Sequence, residues 1–227
     1  MTPPSGLSLV VFLTVVAFAA AAVVVSAMWA APAERRTRHG GIATGLVLLW
    51  LLVSSLPTAL GWVTADNPLP GAPAVLIGMF LLVIGVVVSP AGRRISGAVP
   101  LWALIGVQGF RVPLEWVLHV WSQQGTAPVQ MSWHGSNIDV VAGVVCLLCA
   151  PLASRSRAAA ILSQVVGIGL LANVIRIALT SLPTPLQAYP DPLLLPFHLP
   201  TLWIATVCVG AAALFHGLTV RKLLGMA

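Results

Sequence analysis

The sequence predicts an all-α polytopic membrane bundle of seven transmembrane helices. Two features of composition point there. The 227-residue chain is 59% hydrophobic and only 7% charged, where a soluble domain carries roughly a quarter charged residues. Its mean hydropathy is +1.01. The third observation is the pattern. Apolar runs near the roughly 20 residues needed to cross a hydrocarbon core recur along the chain, and the loops between them alternate between arginine-rich and arginine-free.

The spans are expected near 7–30, 41–63, 73–91, 99–121, 137–153, 158–181 and 200–219, forming one bundle over residues 1–227. The first run is read as a retained helix, because MTPPSGLSLVVF has no basic region ahead of its apolar stretch. The fifth is short and has Pro151 near its end, so its polar first turn is expected within the membrane, buried against neighbours. Arg35, Arg36 and Arg38 follow the first run. Arg93 and Arg94 follow the third, Arg155 and Arg157 the fifth, and Arg221 and Lys222 the seventh. The other loops, around 66–70, 122–136 and 182–199, contain no Lys or Arg. Basic loops stay cytoplasmic, so the N-terminus is expected outside and the C-terminus in the cytoplasm of a bacterial inner membrane. Six prolines between Pro183 and Pro200 forbid a regular helix there. That segment keeps Leu193, Leu194, Leu195 and Phe197, and is expected to fold over the bundle mouth as a lid.

The net charge of +6 does not indicate nucleic acid, because the basic residues form short clusters at span ends instead of a stripe with interleaved aromatics. Cys146, Cys149 and Cys208 all fall inside apolar runs and read as buried small hydrophobes. The expected partners are the lipid bilayer and a small polar or anionic ligand. No cofactor is expected.

The few charges inside the spans gather between Gly109 and Gly143, GFRVPLEWVLHVWSQQGTAPVQMSWHGSNIDVVAG. Arg111, Glu115 and His119 are spaced i, i+4, i+8 and share a helix face. Asn137 and Asp139 begin the next span at the outer level, and Asn173 and Arg176 lie in the outer half of the sixth. His134 and Gln187 belong to the loops above, and His198 opens the seventh span. These ten residues form the candidate ligand site. Charges at such depth mark function or pair with one another. The expected pairs are Arg111 with Glu115 and Arg176 with Asp139. No H-E-x-x-H motif is present, and no metal site is assigned. His39 is read as part of a basic loop and His216 as interfacial. No nucleophile stands out, since Cys146 and Cys149 lie toward the inner half.

The run FRVPLEWVLH, followed by APVQMSWHGSNIDVVAG, ANVIRIALTSLPTPLQ and the PFHLP segment, resembles a family of bacterial integral membrane proteins of unknown function. The resemblance covers residues 109 to about 222. The matching residues are Arg111, Glu115, Met131, Gly135, Asn137, Asp139, Asn173, Pro183, Pro185 and Gln187. It implies a shared outer polar layer and supplies no chemistry. A second similarity, Asn173-Val-Ile-Arg176-Ile with His198 ahead of the next span, is to the exosortase and archaeosortase family of multi-pass transpeptidases. It implies a Cys, Arg, His site. Here His134-Gly135-Ser136 stands where Cys-Ser-Gly would fall. Three functions remain open at this stage: binding or translocation of a polar or anionic ligand or of protons, an intramembrane enzyme of sortase-like architecture, and a structural assembly subunit.

Overall fold

The computed structural model describes residues 2–4 and 6–225. Among them every regular element is helical. The elements are α1 Gly6–Trp29, α2 Arg36–Ala59, α3 Gly71–Val88, α4 Pro90–Ala98, α5 Leu101–Gly106, α6 Arg111–Gln124, α7 Val140–Cys149, α8 Arg157–Ser181 and α9 Gly210–Leu223. Five helical runs are long and apolar enough to cross a membrane, and a sixth qualifies if α4 and the run Leu101–Gln124 count as one. The chain is therefore built as a multi-pass membrane protein.

α1 buries a stripe of Phe12, Val15, Val16 and Ala19, the i, i+3, i+4, i+7 pattern of one helix face. Trp121 of α6 meets this stripe. Its ring stands edge-on to Phe12 with centroids 5.1 Å apart, and its Nε1 donates to Ser8 Oγ at 3.0 Å. α2 and α3 are the least buried spans. Two indoles tie α2 to the rest: Trp50 Nε1 donates to Thr206 O at 2.9 Å, and Trp203 Nε1 to Ser55 Oγ at 3.0 Å.

The expected third helix, 73–91, stops at Val88. Pro90 forces the residue before it out of the helical region, and Ser89 is extended, with ψ 167°. Ser89 Oγ then caps α4 by accepting from Gly92 N at 3.2 Å. α4 was not expected. It carries Arg93 and Arg94 and lies bent by 104° from the run that follows. That run is continuous in space but not in helix type. α5 passes through a 3-10 turn, Val107–Phe110, into α6. α7 continues as a 3-10 turn, Ala150–Leu152. The last span enters as a π-helical segment, Ile204–Val209, and continues as α9.

The basic side chains collect at one end. Arg221 Nη1 donates to Val87 O at 2.6 Å. Lys222 Nζ donates to the carbonyls of Ser96, Gly97 and Val99 at 2.7–3.0 Å. Arg157 Nη2 reaches Leu223 O at 3.3 Å. At the opposite, proline-rich end the segment after α8 folds back on that helix. Leu193 N donates to Ser181 O at 2.6 Å and Ala188 N to Thr180 O at 2.7 Å. Leu193, Leu195 and Phe197 are buried there. Gln130 Nε2 holds the segment by donating to Asp191 O at 2.7 Å.

Candidate functional site

Two glycines decide how closely α6 and α7 approach. A β-carbon on Gly143 would stand 2.7 Å from Val112 Cγ2, and one on Gly109 would stand 2.5 Å from Leu147 Cδ2. This contact places the first residue of α6, Arg111, against the start of α7. Arg111 is 1% exposed. Its Nε donates to Asp139 Oδ2 at 2.6 Å, and Nη2 donates to the other carboxylate oxygen. This two-bond fork is the strong geometry for a guanidinium and a carboxylate.

Arg111 also reaches α8 and α9. Nη1 donates to Gly167 O at 3.0 Å and lies 3.2 Å from His216 Nε2. A guanidinium offers only donors. His216 Nε2 is therefore the acceptor, and the ring proton sits on Nδ1. That nitrogen donates to Gln164 Oε1 at 2.9 Å. Gln164 Nε2 in turn donates to Ser163 Oγ at 3.1 Å, and Ser163 Oγ to Ala160 O at 2.7 Å. The chain of bonds thus ends on backbone with its members satisfied. Four helices meet in it, all through buried side chains.

The expected pairs are corrected here. Among the described residues, Arg111–Asp139 is the one ion pair within 4 Å. Glu115 does not pair with Arg111. Both of its oxygens accept from Asn137 Nδ2, at 3.0 and 2.9 Å. Asn137 also donates to Met131 O at 3.0 Å and accepts from Asp139 N at 3.1 Å. It is the joint between Glu115 and the ion pair, and it is fully buried. Arg176 does not pair with Asp139. It is exposed, and its Nη2 and Nε donate to Asn173 Oδ1 at 2.9 and 3.3 Å.

The ten expected residues therefore divide into groups. Arg111, Glu115, Asn137 and Asp139 form a closed interior. Asn173 and Arg176 form a second, open group at the proline-rich end. Asn173 Nδ2 donates to Ser136 O at 3.1 Å, and Tyr189 Oη lies 3.4 Å from Ser136 Oγ. Gln187 Nε2 donates to Tyr189 O at 2.8 Å. The hydrogen bond with Ser136 holds the Tyr189 phenol below its ordinary value, and the nearby Arg176 adds to this. His119 of α6 and His134 of the 130s loop make a third group. The His119 ring stacks on Trp133 at 4.2 Å and meets His134 edge-on at 4.5 Å. Gln123 Nε2 donates to His119 Nε2 at 3.1 Å. His198 is exposed, and its carbonyl is what the chain engages, by accepting from Thr201 Oγ1 at 2.9 Å.

Among the described residues, no group of three or more His, Cys, Asp or Glu side chains is arranged to hold a metal ion. The free thiols Cys146, Cys149 and Cys208 are buried. Sequence reasoning missed the roles of His216, Gln164 and Tyr189. His216 is corrected from interfacial to buried, and His39 from a loop to the first turns of α2. The available signal for His216 and Gln164 was a hydrogen-bonding side chain inside an apolar run, the same signal that marked Arg111.

Compared with family models, curated proteins and solved structures, the chain matches none.

Proposed function

We propose that this chain is a seven-span protein of a bacterial cytoplasmic membrane, with its N-terminus outside, and that it receives a small polar or anionic group at its outer face. The alternation of basic and arginine-free loops supports the orientation. In this reading α1, α2, α3, the run Leu101–Gln124, α7 with its 3-10 turn, α8 and the Ile204–Leu223 run each cross once. α4 lies along the inner surface.

One observation carries the binding reading. Arg176 is exposed, its guanidinium is oriented by Asn173, and no carboxylate lies within 4 Å of it among the described residues. A permanently charged fork held in place without a counter-ion is suited to an incoming carboxylate, phosphate or sulfate. The Tyr189 hydroxyl lies beside it, and the Ser136 hydroxyl stands 3.4 Å from that of Tyr189. Arg111 is not the receiving group in this reading, because Asp139, Gly167 and His216 occupy four of its five N–H donors. The Arg111 network instead fixes four helices under the site. The binding reading is preferred to a sortase-like transpeptidase because every thiol is buried, away from the exposed Arg176.

The test is calorimetric titration of the purified full chain with acetate, inorganic phosphate and sulfate, alongside Arg176→Gln. At least one anion binds the native chain, and that binding weakens about tenfold or more in the variant, as expected for loss of a charge-assisted hydrogen bond. No binding of any of the three, or binding unchanged by the substitution, contradicts the reading for free anions.

A further inference from the structure

The surroundings of Arg176 narrow the class of anion. α8 buries Ala160, Ser163, Gly167, Leu171, Val174 and Ile177 against the bundle. Its opposite face carries Ile161, Val165, Ile168, Ala172 and Arg176 at spacings of three and four, so they form one stripe. Ile161 is 46% exposed, Val165 67% and Ile168 42%, and Ala172 and Arg176 are exposed as well. In a chain that crosses a membrane, that face is turned toward lipid. Arg176 ends the stripe about 7.5 Å below the last residue of α8, Ser181, at 1.5 Å per residue. Its guanidinium is tied toward the 130s loop and Tyr189, where the polar boundary begins. Long basic side chains placed in this way lay their stems on apolar surface and hold their charge at the interface.

An anion bound by Arg176 therefore stands at the edge of the bilayer and directly above an apolar stripe. We propose that the group received there is the phosphate of an anionic membrane phospholipid from the outer leaflet, with an acyl chain lying along Ile161, Val165, Ile168 and Ala172. The proposal rests on the reading of Arg176 as an anion receptor. A phosphate has enough acceptor oxygens for the guanidinium fork and the Ser136 and Tyr189 hydroxyls together, and charge complementarity is met because no carboxylate among the described residues lies within 4 Å of Arg176. A soluble anion uses the charged end of this surface and leaves the stripe bare. A neutral lipid uses the stripe and leaves the charge bare.

The experiment compares three probes on the full chain in a mild neutral detergent, with bound mass read by native mass spectrometry. Phosphatidylglycerol supplies both parts, diacylglycerol only the chains, and glycerol phosphate only the anion. The expected result is that phosphatidylglycerol binds, that the other two bind at least about tenfold more weakly, and that Arg176→Gln weakens phosphatidylglycerol about tenfold. Arg176→Lys keeps the charge and the helix but loses the planar fork, and is expected to weaken binding about threefold. Glycerol phosphate binding as tightly as phosphatidylglycerol overturns the lipid assignment and leaves the anion reading standing. Diacylglycerol binding as tightly as phosphatidylglycerol, or retention of phosphatidylglycerol at native affinity by both variants, overturns the role of Arg176. Binding of no probe overturns both.

Discussion

Arg111 and Asp139 form a two-bond fork across the α6–α7 contact, with both side chains buried. The fork explains why the two charges sit so deep, and it sets the first prediction. Removing one partner leaves the other charge buried and uncompensated, at a cost of about 3–5 kcal/mol. Replacing both with apolar residues of similar size removes the desolvation burden along with the attraction. Arg111→Met and Asp139→Leu should each lower the melting temperature in detergent sharply. The double variant should melt closer to the native protein than the two losses added together. Strict additivity of the two losses would count against the fork as the element holding these helices.

Glu115 and Asn137 have unequal importance despite being bonded to each other. Glu115→Gln keeps an acceptor oxygen for the Asn137 amide and breaks no ion pair. Its effect on stability should stay within about 1 kcal/mol. Asn137→Ala strips partners from Glu115, from Met131 O and from Asp139 N at once. Leaving buried polar groups unsatisfied costs about 1–3 kcal/mol each. Melting curves of the two variants should separate clearly, and equal losses would sink this ranking.

Tyr189 is the chain's single tyrosine, so its ionisation is readable in the ultraviolet without assignment. The Ser136 hydrogen bond is the main cause that lowers it, with Arg176 assisting. The phenolate should appear at lower pH than for a free tyrosine, whose value is about 10. Ser136→Ala should move the midpoint back up. A midpoint above the ordinary value in the native protein would show that the outer group is not arranged as described.

Orientation is tested by thiol labelling in intact cells. The native cysteines are buried, and the exposed positions Gln187 and Ser154 lie in loops of opposite character. Gln187→Cys should react with a membrane-impermeant maleimide added outside, and Ser154→Cys only after permeabilisation. The reverse pattern would invert the bundle.

An all-helical chain with several membrane-length apolar helices was legible in the sequence, and so were the helix-face positions of its buried charges, because both follow from simple counting. Apolar run length gives the helices, and the i, i+4, i+8 spacing puts Arg111, Glu115 and His119 on one face. The partners were not legible. Spacing within α6 favours an Arg111–Glu115 pair, yet a close interhelix contact through Gly109 and Gly143 brings Asp139 nearer. That contact depends on a 3-10 turn before Arg111, which no periodicity reports. His216 read as interfacial because the last span was expected to end near residue 219. The helix runs on to Leu223, and His216 lies one turn deeper. α4 escaped notice because it is short and amphipathic, and a span count looks only for long apolar runs.

The two arginines inside the spans are assigned opposite tasks, one closed and holding, the other open and receiving. The direct test is a paired measurement on Arg111→Gln and Arg176→Gln, in which melting temperature and retained phosphatidylglycerol are read on the same preparations. The account predicts that Arg111→Gln loses stability by about 3–5 kcal/mol, while Arg176→Gln melts within about 0.5 kcal/mol of the native chain and loses the bound phospholipid. An Arg176→Gln protein that melts as early as the Arg111 variant, or that keeps its phospholipid, would contradict it.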